Sequence, residues 1–419
     1  MRVLKLVVTV IAVIALVAVA AVGSVYFWNK DMDRASQTQL DEFYSPPTPL
    51  IGSPGDVIRT ERAEAFDVPG SRAFRMLYVT ESVTGGTRAS SGMYWIPDKP
   101  AKGARKVIAW AHPTVGLGTD CVPSRVPGNR SFKATVGWLE QMAGLGWVVT
   151  ATDYAGLGTP PPYTYLVGRQ EASDVVNSVR AVRNVPAAEA GTKWGVFGHS
   201  QGGHSALWTG TLAKDIAPEL DLVGVAAAAP ASLLPVIIDQ QWDKIVAWVI
   251  GPEAMLSWPV VFPELQPSEI VNPAAANATE SEALDCLLKS ALGGALRQEL
   301  MGQRYFSVNP LTIPSWAARF DTESAKPLPA SMPLFVGQGT ADKVVMADTN
   351  ALLQQQWCEA GSDLTMEWLG GVNHQNAAKA SGPAVVDWFI DVFDGNTPKR
   401  NCQKPPPVKP YELQSAESG

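Results

Sequence analysis

The amino-acid sequence predicts an α/β fold, in which helices cover both faces of a mostly parallel central sheet and a helical insertion interrupts it. In the first half of the chain, short apolar segments typical of strands alternate with segments of helical apolar spacing. This rhythm breaks between residues 231 and 326, where Trp and Pro are frequent. The chain has 419 residues, 46% of them hydrophobic. That is enough for one large core plus an insertion.

The N-terminal segment predicts export. A short positive start precedes an apolar run over residues 6–22, and aromatic residues follow it up to Trp28. This pattern is typical of a signal peptide, and residues 18–20 (AVA) offer a cleavage site. The alternative is an uncleaved anchor over residues 6–28, which would associate with the membrane. In both interpretations residues 1–30 are a targeting segment, and the rest of the chain is exported, either secreted or held on the extracytoplasmic face.

Composition argues against several classes of protein. Only 17% of the residues are charged and the formal net charge is −7. The chain therefore lacks the basic excess of a nucleic-acid-binding protein and the charge content of a disordered one. Its cysteines have no spacing typical of a metal or redox site. An even count in an exported chain predicts two disulfides, with three possible connectivities among Cys121, Cys286, Cys358 and Cys402.

The elements can be placed in chain order. Residues 31–69 are polar and interrupted by proline, which predicts an extended entry segment. Strands are predicted at 74–80 and 92–96, with a hairpin turn at Gly85-Gly86. Six more strands are predicted at 106–111, 146–151, 193–197, 222–226, 333–336 and 364–369, and helices at 132–145, 171–185 and 205–213.

These elements divide the chain into parts. Residues 70–230 and 327–400 are predicted to form the α/β core. Residues 231–326 are predicted to be a helical insertion that emerges from the C-terminal edge of the sheet, and residues 401–419 a polar, proline-rich tail.

A glycine-rich turn from Gly198 to Gly202 (GHSQG) follows a predicted strand and opens a predicted helix. G-x-S-x-G in this setting is typical of a nucleophile elbow, because the glycines permit a tight turn that holds the serine hydroxyl clear of the backbone. The serine also lies at the positive end of a helix. The alternative is a glycine-rich turn with an incidental serine. The strand–turn–helix context favours Ser200 as a nucleophile.

A serine hydroxyl needs a general base, and histidine has a suitable pKa. Of the four histidines, His199 lies inside the turn and is predicted to point away from the working face of the serine. His204 lies one turn into the next helix, and His112 lies in an earlier loop. His374 follows the last predicted strand, where a loop can fold over the C-terminal edge of the sheet. We therefore predict His374 as the base; the alternative is a histidine of a surface loop.

The third residue of a triad must orient the imidazole and offset its charge. Nine aspartates lie between the serine and the histidine. Asp342 is predicted for this role because it lies in the turn beyond the strand at 333–336. Asp348 is instead predicted to cap a helix that begins near Thr349, and Asp363 to close a turn before the next strand.

The oxyanion formed during acyl transfer needs two donors. One is predicted to be the backbone N–H of Gln201, directly after the nucleophile. The other is predicted to be the N–H of Thr114, in the loop after the strand at 106–111, because Pro113 has no N–H. The alternative for this loop is a plain strand-ending turn.

Taken together, these residues resemble the secretory lipase family. The resemblance rests on five motifs: HPTVG at 112–116, DYAGLG at 153–158, GHSQGG at 198–203, QGTAD at 338–342, and Asn373-His374. It implies an α/β-hydrolase fold, lipase or esterase activity on acyl esters, and no metal or cofactor. It also implies a helical lid between the nucleophile and the triad aspartate, which matches residues 231–326 in position.

The resemblance has two further consequences. By position, it implies the disulfides Cys121–Cys286 and Cys358–Cys402. Yeast members carry an aspartate where Thr114 stands, although a backbone donor at this position does not depend on the side chain.

The sequence thus predicts a serine carboxylester hydrolase that acts on lipid-like acyl esters such as triacylglycerols through an acyl-enzyme. One alternative is an acyltransferase on the same scaffold, which would share the acyl-enzyme and differ only in the acceptor. Another is a non-catalytic, membrane-tethered binding protein of this fold. The completeness of the predicted triad favours an enzyme.

Overall fold

The computed structural model describes residues 41–128 and 130–412. A short helix, α1 at Asp41–Tyr44, belongs to one compact unit, and the chain from residue 46 onward forms another. The predicted signal or anchor at residues 6–28 lies outside the described residues. Within the two described ranges, no helix combines the length and apolar character needed to cross a bilayer.

The core of the protein is one nine-stranded sheet. Its strands are β1 Val57–Arg62, β2 Ser71–Glu81, β3 Thr87–Pro97, β4 Arg105–Ala111, β5 Val148–Thr152, β6 Ala190–His199, β7 Asp221–Ala228, β8 Leu334–Gly339 and β9 Leu364–Leu369. They lie in the order β1-β2-β3-β5-β4-β6-β7-β8-β9. The first three pairings in this order are antiparallel and the other five are parallel. The prediction of a mostly parallel sheet is confirmed.

The first strand lies inside the segment predicted to be extended. The sequence predicts an extended entry segment over residues 31–69, but β1 occupies 57–62 and pairs with β2. The strand is mostly polar because it is an edge strand with no residue fully buried, and Glu61 forms an ion pair with Arg75 of β2 at 2.8 Å. An edge strand of this kind lacks the apolar alternation that marks a half-buried strand.

Helices cover the sheet and fill the insertion. They are α2 Arg130–Gly144, α3 Gly168–Arg183, α4 Gln201–Ile216, α5 Leu234–Gln241, α6 Ile245–Val261, α7 Pro273–Ala276, α8 Thr279–Leu284, α9 Leu287–Ala295, α10 Pro314–Thr322, α11 Ala347–Glu359 and α12 Ala377–Phe393. Side chains of α3, α4 and α11 pack on one face of the sheet, and those of α2 and α12 on the other.

Strand β4 illustrates why both faces are covered. Val107 and Ala109 belong to the first hydrophobic cluster, whereas Ile108 and Trp110 belong to the second. Trp110 packs against Trp138 of α2 with ring centroids 5.0 Å apart. Because both sets of alternating side chains are apolar and buried, the strand requires a helix layer on each side.

Residues between β7 and β8 form the helical insertion, α5 to α10. A third hydrophobic cluster lies within it, and the indoles of Trp248, Trp258 and Trp316 are fully buried there. The Trp258 Nε1–H donates to the carbonyl oxygen of Tyr165 at 3.0 Å. The insertion therefore has its own core and also contacts the loops at the C-terminal edge of the sheet.

Both disulfides have the connectivity that the resemblance implies. Cys121–Cys286 joins the loop after β4 to the insertion, and Cys358–Cys402 joins α11 to the C-terminal segment. The sequence predicts this C-terminal segment as a polar tail. A second contact holds it against the protein, because the hydroxyl of Tyr411 donates to Asp239 Oδ2 at 2.6 Å.

Candidate active site

Ser200 occupies a sharp turn between β6 and α4. Its backbone has φ 58° and ψ −115°, a conformation that residues other than glycine rarely adopt. The Ser200 N–H donates to the carbonyl oxygen of Ala228 at 3.0 Å, which anchors the turn to the neighbouring strand β7. Strain of this kind persists where the surrounding structure fixes it, often at functional sites.

The two glycines of the turn permit this geometry by close backbone approach. A Cβ added to Gly198 would lie 1.8 Å from the carbonyl oxygen of Gly202, and one added to Gly202 would lie 1.9 Å from that of Ala111. These distances are far below van der Waals contact. Any side chain at either position would push β4, β6 and α4 apart.

The structure brings the three predicted triad residues together. His374 Nε2 lies 2.8 Å from Ser200 Oγ, and His374 Nδ1 lies 2.7 Å from Asp342 Oδ2. Asp342 follows β8, and His374 follows β9, so each side chain is presented from the C-terminal end of a parallel strand. The other carboxylate oxygen of Asp342 accepts the N–H groups of Val344 and Val345 at 2.8 and 3.0 Å.

The loop that carries Thr114 lies against the first turn of α4. A Cβ on Gly202 would also lie 2.7 Å from the carbonyl oxygen of His112. Among the described contacts, the N–H groups of Thr114 and Gln201 have no acceptor within the protein, as expected for a loop and for a first helical turn. The hydroxyl of Thr114 lies 2.9 Å from that of Tyr165.

The insertion also forms backbone hydrogen bonds with the loop that carries Thr114. The Leu117 N–H donates to Ala283 O at 2.8 Å, and the Leu287 N–H donates to Val115 O at 2.9 Å. The Cys121–Cys286 disulfide closes this contact covalently. The backbone of the Thr114 loop is therefore positioned from two sides, by α4 and by the insertion.

The other histidines have different partners. The His199 Nε2–H donates to the carbonyl oxygen of His374 at 2.9 Å, so this residue supports the loop of His374. Burial lowers the pKa of His199 to about 3, and the neighbouring His374 lowers it as well. His112 packs against Tyr154, with ring centroids 4.6 Å apart.

The two alternative aspartates also have structural contacts. The prediction that Asp348 caps a helix is wrong: α11 begins at Ala347, and the Asp348 carboxylate accepts from Gln240 Nε2 at 2.9 Å. Asp363 lies 2.6 Å from Arg400 Nε.

Sequence comparison identifies the family. The sequence pattern described as "Secretory lipase" matches residues 136–401. The chain belongs to the secretory lipase family. This membership makes it a serine ester hydrolase of the lipase and esterase type, and it favours an exported protein.

Curated relatives of this secretory lipase include fungal enzymes. It is 23% identical over 398 residues to lipase A of Moesziomyces aphidis, a match that covers 88% of this chain and 83% of that protein. It is 24% identical over 400 residues to the secreted triacylglycerol lipase LIP7 of Malassezia globosa, covering 88% and 82%.

Solved structures share the fold. Lipase A of Candida antarctica in its closed state superposes with a TM-score of 0.70 at 18% identity, covering 88% of this chain and 89% of that chain. The rice cell wall degrading esterase LipA of Xanthomonas oryzae superposes with a TM-score of 0.68 at 18% identity, covering 82% and 100%. The predicted α/β-hydrolase fold is confirmed.

A buried polar network that no sequence pattern predicts lies behind the turn at Ser200. The Glu171 carboxylate accepts hydrogen bonds from Gln201 Nε2 at 2.8 Å, Ser205 Oγ at 2.8 Å and the Leu166 N–H at 3.0 Å. It also pairs with His204 Nδ1 at 2.7 Å. Glu171 therefore fixes the side chain of the residue that follows Ser200.

Proposed function

We propose that the protein cleaves acyl esters with Ser200 as the nucleophile, His374 as the general base and acid, and Asp342 as the residue that orients the histidine. The observation that carries this proposal is the unbroken hydrogen-bonded chain from Ser200 Oγ through His374 to Asp342, with links of 2.8 and 2.7 Å. It begins at a strained turn, where a serine side chain is held ready for attack.

Acylation follows from these contacts. The Nδ1–H of His374 donates to Asp342, so Nε2 accepts the proton of the Ser200 hydroxyl as the oxygen attacks the ester carbonyl carbon. The tetrahedral intermediate collapses when His374 returns the proton to the leaving alkoxy oxygen. The alcohol departs and the acyl group stays on Ser200.

Deacylation repeats the sequence with water. His374 removes a proton from the water molecule, the resulting hydroxide attacks the acyl carbon, and the proton passes to Ser200 Oγ as the carboxylic acid leaves. In both half-reactions the N–H groups of Gln201 and Thr114 would stabilise the oxyanion. Within the described residues neither N–H has an acceptor, which supports this role.

The insertion at 231–326 would act as a lid, and its surface favours substrates at a lipid interface. Large apolar side chains spaced four residues apart are exposed from α9 onward: Leu288, Leu292, Leu296 and Leu300, followed by Met301. Exposed apolar surface of this kind marks a contact with a partner or a membrane. The helix begins directly after Cys286, which is bonded to the loop next to the oxyanion donors.

A pair of substitutions tests the lipid-interface part of the proposal. Leu292→Glu is expected to lower hydrolysis of emulsified triolein about tenfold, because it removes apolar area that would be buried in lipid, and to leave hydrolysis of dissolved p-nitrophenyl butyrate unchanged. Ile51→Glu, at a residue that is 81% exposed outside the insertion, is the matched control and should affect neither substrate. An equal loss on both substrates in Leu292→Glu would contradict the contact.

The reaction itself is tested at Ser200. Ser200→Ala is expected to abolish turnover of p-nitrophenyl esters and labelling by a fluorophosphonate probe, while the melting temperature stays at or above that of the wild type. Full activity in this variant would exclude the mechanism. Wild-type protein that neither reacts with the probe nor hydrolyses an ester would instead favour a binding protein.

A further inference from the structure

A side chain of the insertion holds the turn that follows Asp342. This turn, over residues 343–346, leads into α11 and is called the triad turn below. The side-chain amide of Gln241, the last residue of α5, donates to the carbonyl oxygens of Lys343 and Val344, each at 2.9 Å. Gln241 is 2% exposed, and its amide carries two hydrogens, so one side chain can satisfy both carbonyl groups. The insertion therefore reaches the triad turn through a buried amide.

The two carbonyl groups belong to the peptide units that hold the Asp342 carboxylate. The carbonyl of Lys343 and the N–H of Val344 form one unit, and the carbonyl of Val344 and the N–H of Val345 form the next. Both N–H groups donate to Asp342 Oδ1, at 2.8 and 3.0 Å. Because a peptide unit is planar, a hydrogen bond that fixes its oxygen also fixes the direction of its N–H. Gln241 therefore sets the direction of both N–H groups.

Other contacts restrain these two units little. Among the described contacts, neither the Lys343 nor the Val344 carbonyl oxygen accepts from a backbone N–H. Lys343 is exposed and Val344 is half-buried, so packing holds them weakly. The next carbonyl oxygen, that of Val345, accepts from Nε2 of Gln338 in β8 at 3.1 Å. The core thus holds the third peptide unit of the turn, whereas the insertion holds the two that face Asp342.

This arrangement favours an ionised and fixed carboxylate. A peptide unit is a dipole with its positive end at the N–H, and a hydrogen bond to its oxygen strengthens the donor at the other end. While Asp342 Oδ1 is held by the two N–H groups, Oδ2 lies 2.7 Å from His374 Nδ1. If the peptide units turned, the carboxylate would lose these donors and could rotate away from the histidine.

We propose that Gln241 is a positioning residue of the triad, which fixes Asp342 through the two peptide units and makes the orientation of His374 depend on the docking of α5. The proposal rests on the proposed roles of Asp342 and His374 in ester hydrolysis. No described hydrogen bond joins Gln241 to Ser200, to His374 or to the Asp342 side chain. Its effect on the reaction therefore passes through the triad turn.

Two neighbouring glutamines of α5 provide a matched pair of variants. Gln240 also makes two hydrogen bonds to the residues after β8, but with the side chains of Asp348 and Thr349, both at 2.9 Å, which lie beyond the triad turn. Methionine has nearly the length of glutamine and cannot donate. Gln241→Met and Gln240→Met should therefore weaken the contact between α5 and the core similarly, and both are expected to lower the melting temperature.

The two variants should differ in catalysis. Gln241→Met is expected to lower kcat for p-nitrophenyl butyrate about tenfold or more, because a misplaced triad loses transition-state stabilisation. The KM should change little, since acylation and deacylation both use Asp342 and slow together. Gln240→Met is expected to lower kcat less than about twofold. Rates are measured well below the melting temperature of each variant.

A double substitution separates positioning from a general structural effect. Asp342→Asn removes the charge that Gln241 is proposed to fix and is expected to lower kcat by about 10⁴. In that background, Gln241→Met should lower kcat by less than about twofold more, because the group through which it acts has lost its function. A general loosening of the site would instead multiply the two losses.

Each other outcome has a defined meaning. A wild-type kcat in Gln241→Met, or an equal loss in Gln240→Met, overturns the proposal and leaves the proposed hydrolysis at Ser200 intact. Multiplied losses in the double variant also overturn it, because Gln241 would then act independently of Asp342. A wild-type kcat in Asp342→Asn would count against the proposed triad itself.

A milder variant keeps the test available if Gln241→Met does not fold. Gln241→Asn retains the amide but is one methylene shorter, so it cannot reach both carbonyl oxygens in the same geometry. It is expected to lower kcat about threefold or more, and this loss should also disappear in the Asp342→Asn background. An unchanged kcat in Gln241→Asn would overturn the positioning role.

Discussion

Two histidine–carboxylate pairs lie near the turn at Ser200, and the distance from the histidine Nδ1 to the carboxylate oxygen is the same in both. His374 Nδ1 lies 2.7 Å from Asp342, and His204 Nδ1 lies 2.7 Å from Glu171. They differ at the second ring nitrogen. His374 Nε2 lies 2.8 Å from Ser200 Oγ, whereas His204 Nε2 lies 2.7 Å from the carbonyl oxygen of Glu323.

This difference decides what each pair can do. The His204 Nε2–H donates to a carbonyl oxygen that has no proton to give, so the ring cannot act as a base there. Burial lowers the pKa of His204, but Glu171 offsets this and the pKa lies above its ordinary value. The pair at His204 is thus sealed, because both of its ring nitrogens face acceptors that hold no proton, whereas the pair at His374, the working pair of the proposed mechanism, includes the Ser200 hydroxyl. A histidine–carboxylate contact becomes catalytic only through its third partner.

The same substitution in the two pairs is expected to have opposite effects. His374→Gln should lower kcat for a soluble ester by about 10⁴ or more, because the serine loses its base, and should change the melting temperature little. His204→Gln should lower kcat less than tenfold but destabilise the protein by about 3–5 kcal/mol, because Glu171 then remains buried without a counter-charge.

Initial rates at saturating substrate and urea unfolding of both variants check this contrast. Double substitution provides the control, since effects on separate properties should add. If His204→Gln lost activity as severely as His374→Gln while remaining stable, the distinction between a sealed and a working pair would be wrong.

The working pair could be predicted from the sequence because its position follows from chain order. Ser200, Asp342 and His374 each come directly after a recognisable apolar strand, and parallel strands end at the same edge of a sheet. The turn at Ser200 also carries its own glycine signature. The structure places all three residues as this reasoning expects, without testing their roles.

The sealed pair could not be predicted in the same way. Glu171 lies in the first turn of α3, where a carboxylate is usually an exposed, favourable helix start. Its burial depends on α4 and on Glu323 from the distant end of the insertion, which are contacts that no local pattern encodes. One sequence feature could have indicated a buried polar partner for this helix: His204 and Ser205 lie in a helix that must pack tightly behind the turn at Ser200.

A third histidine extends the comparison, because its contribution to stability depends on pH in the opposite sense to that of His204. The folded-state pKa of His204 is raised, so its contribution to stability is complete below about pH 6.5 and is lost as the pH rises through the folded value. His199 has a folded-state pKa of about 3, so the unfolded chain binds a proton that the folded protein does not. Its contribution is present above about pH 6.5 and is lost as the pH falls towards 3, at about 1.4 kcal/mol for each pH unit.

The smallest effect that we predict is a difference between the wild type and His199→Gln in how the free energy of unfolding changes with pH. Between pH 6.5 and 5, the free energy of unfolding of the wild type should fall about 2 kcal/mol more than that of His199→Gln, in which the amide can still donate to the carbonyl oxygen of His374 but cannot titrate. Urea unfolding at the two pH values measures this, and taking the difference between variants cancels the carboxylates common to both. Parallel pH profiles would mean that His199 accepts a proton in the folded protein. The protonated ring would still donate to the carbonyl oxygen of His374, but its charge would lie beside the His374 ring, whose centroid is 5.0 Å away.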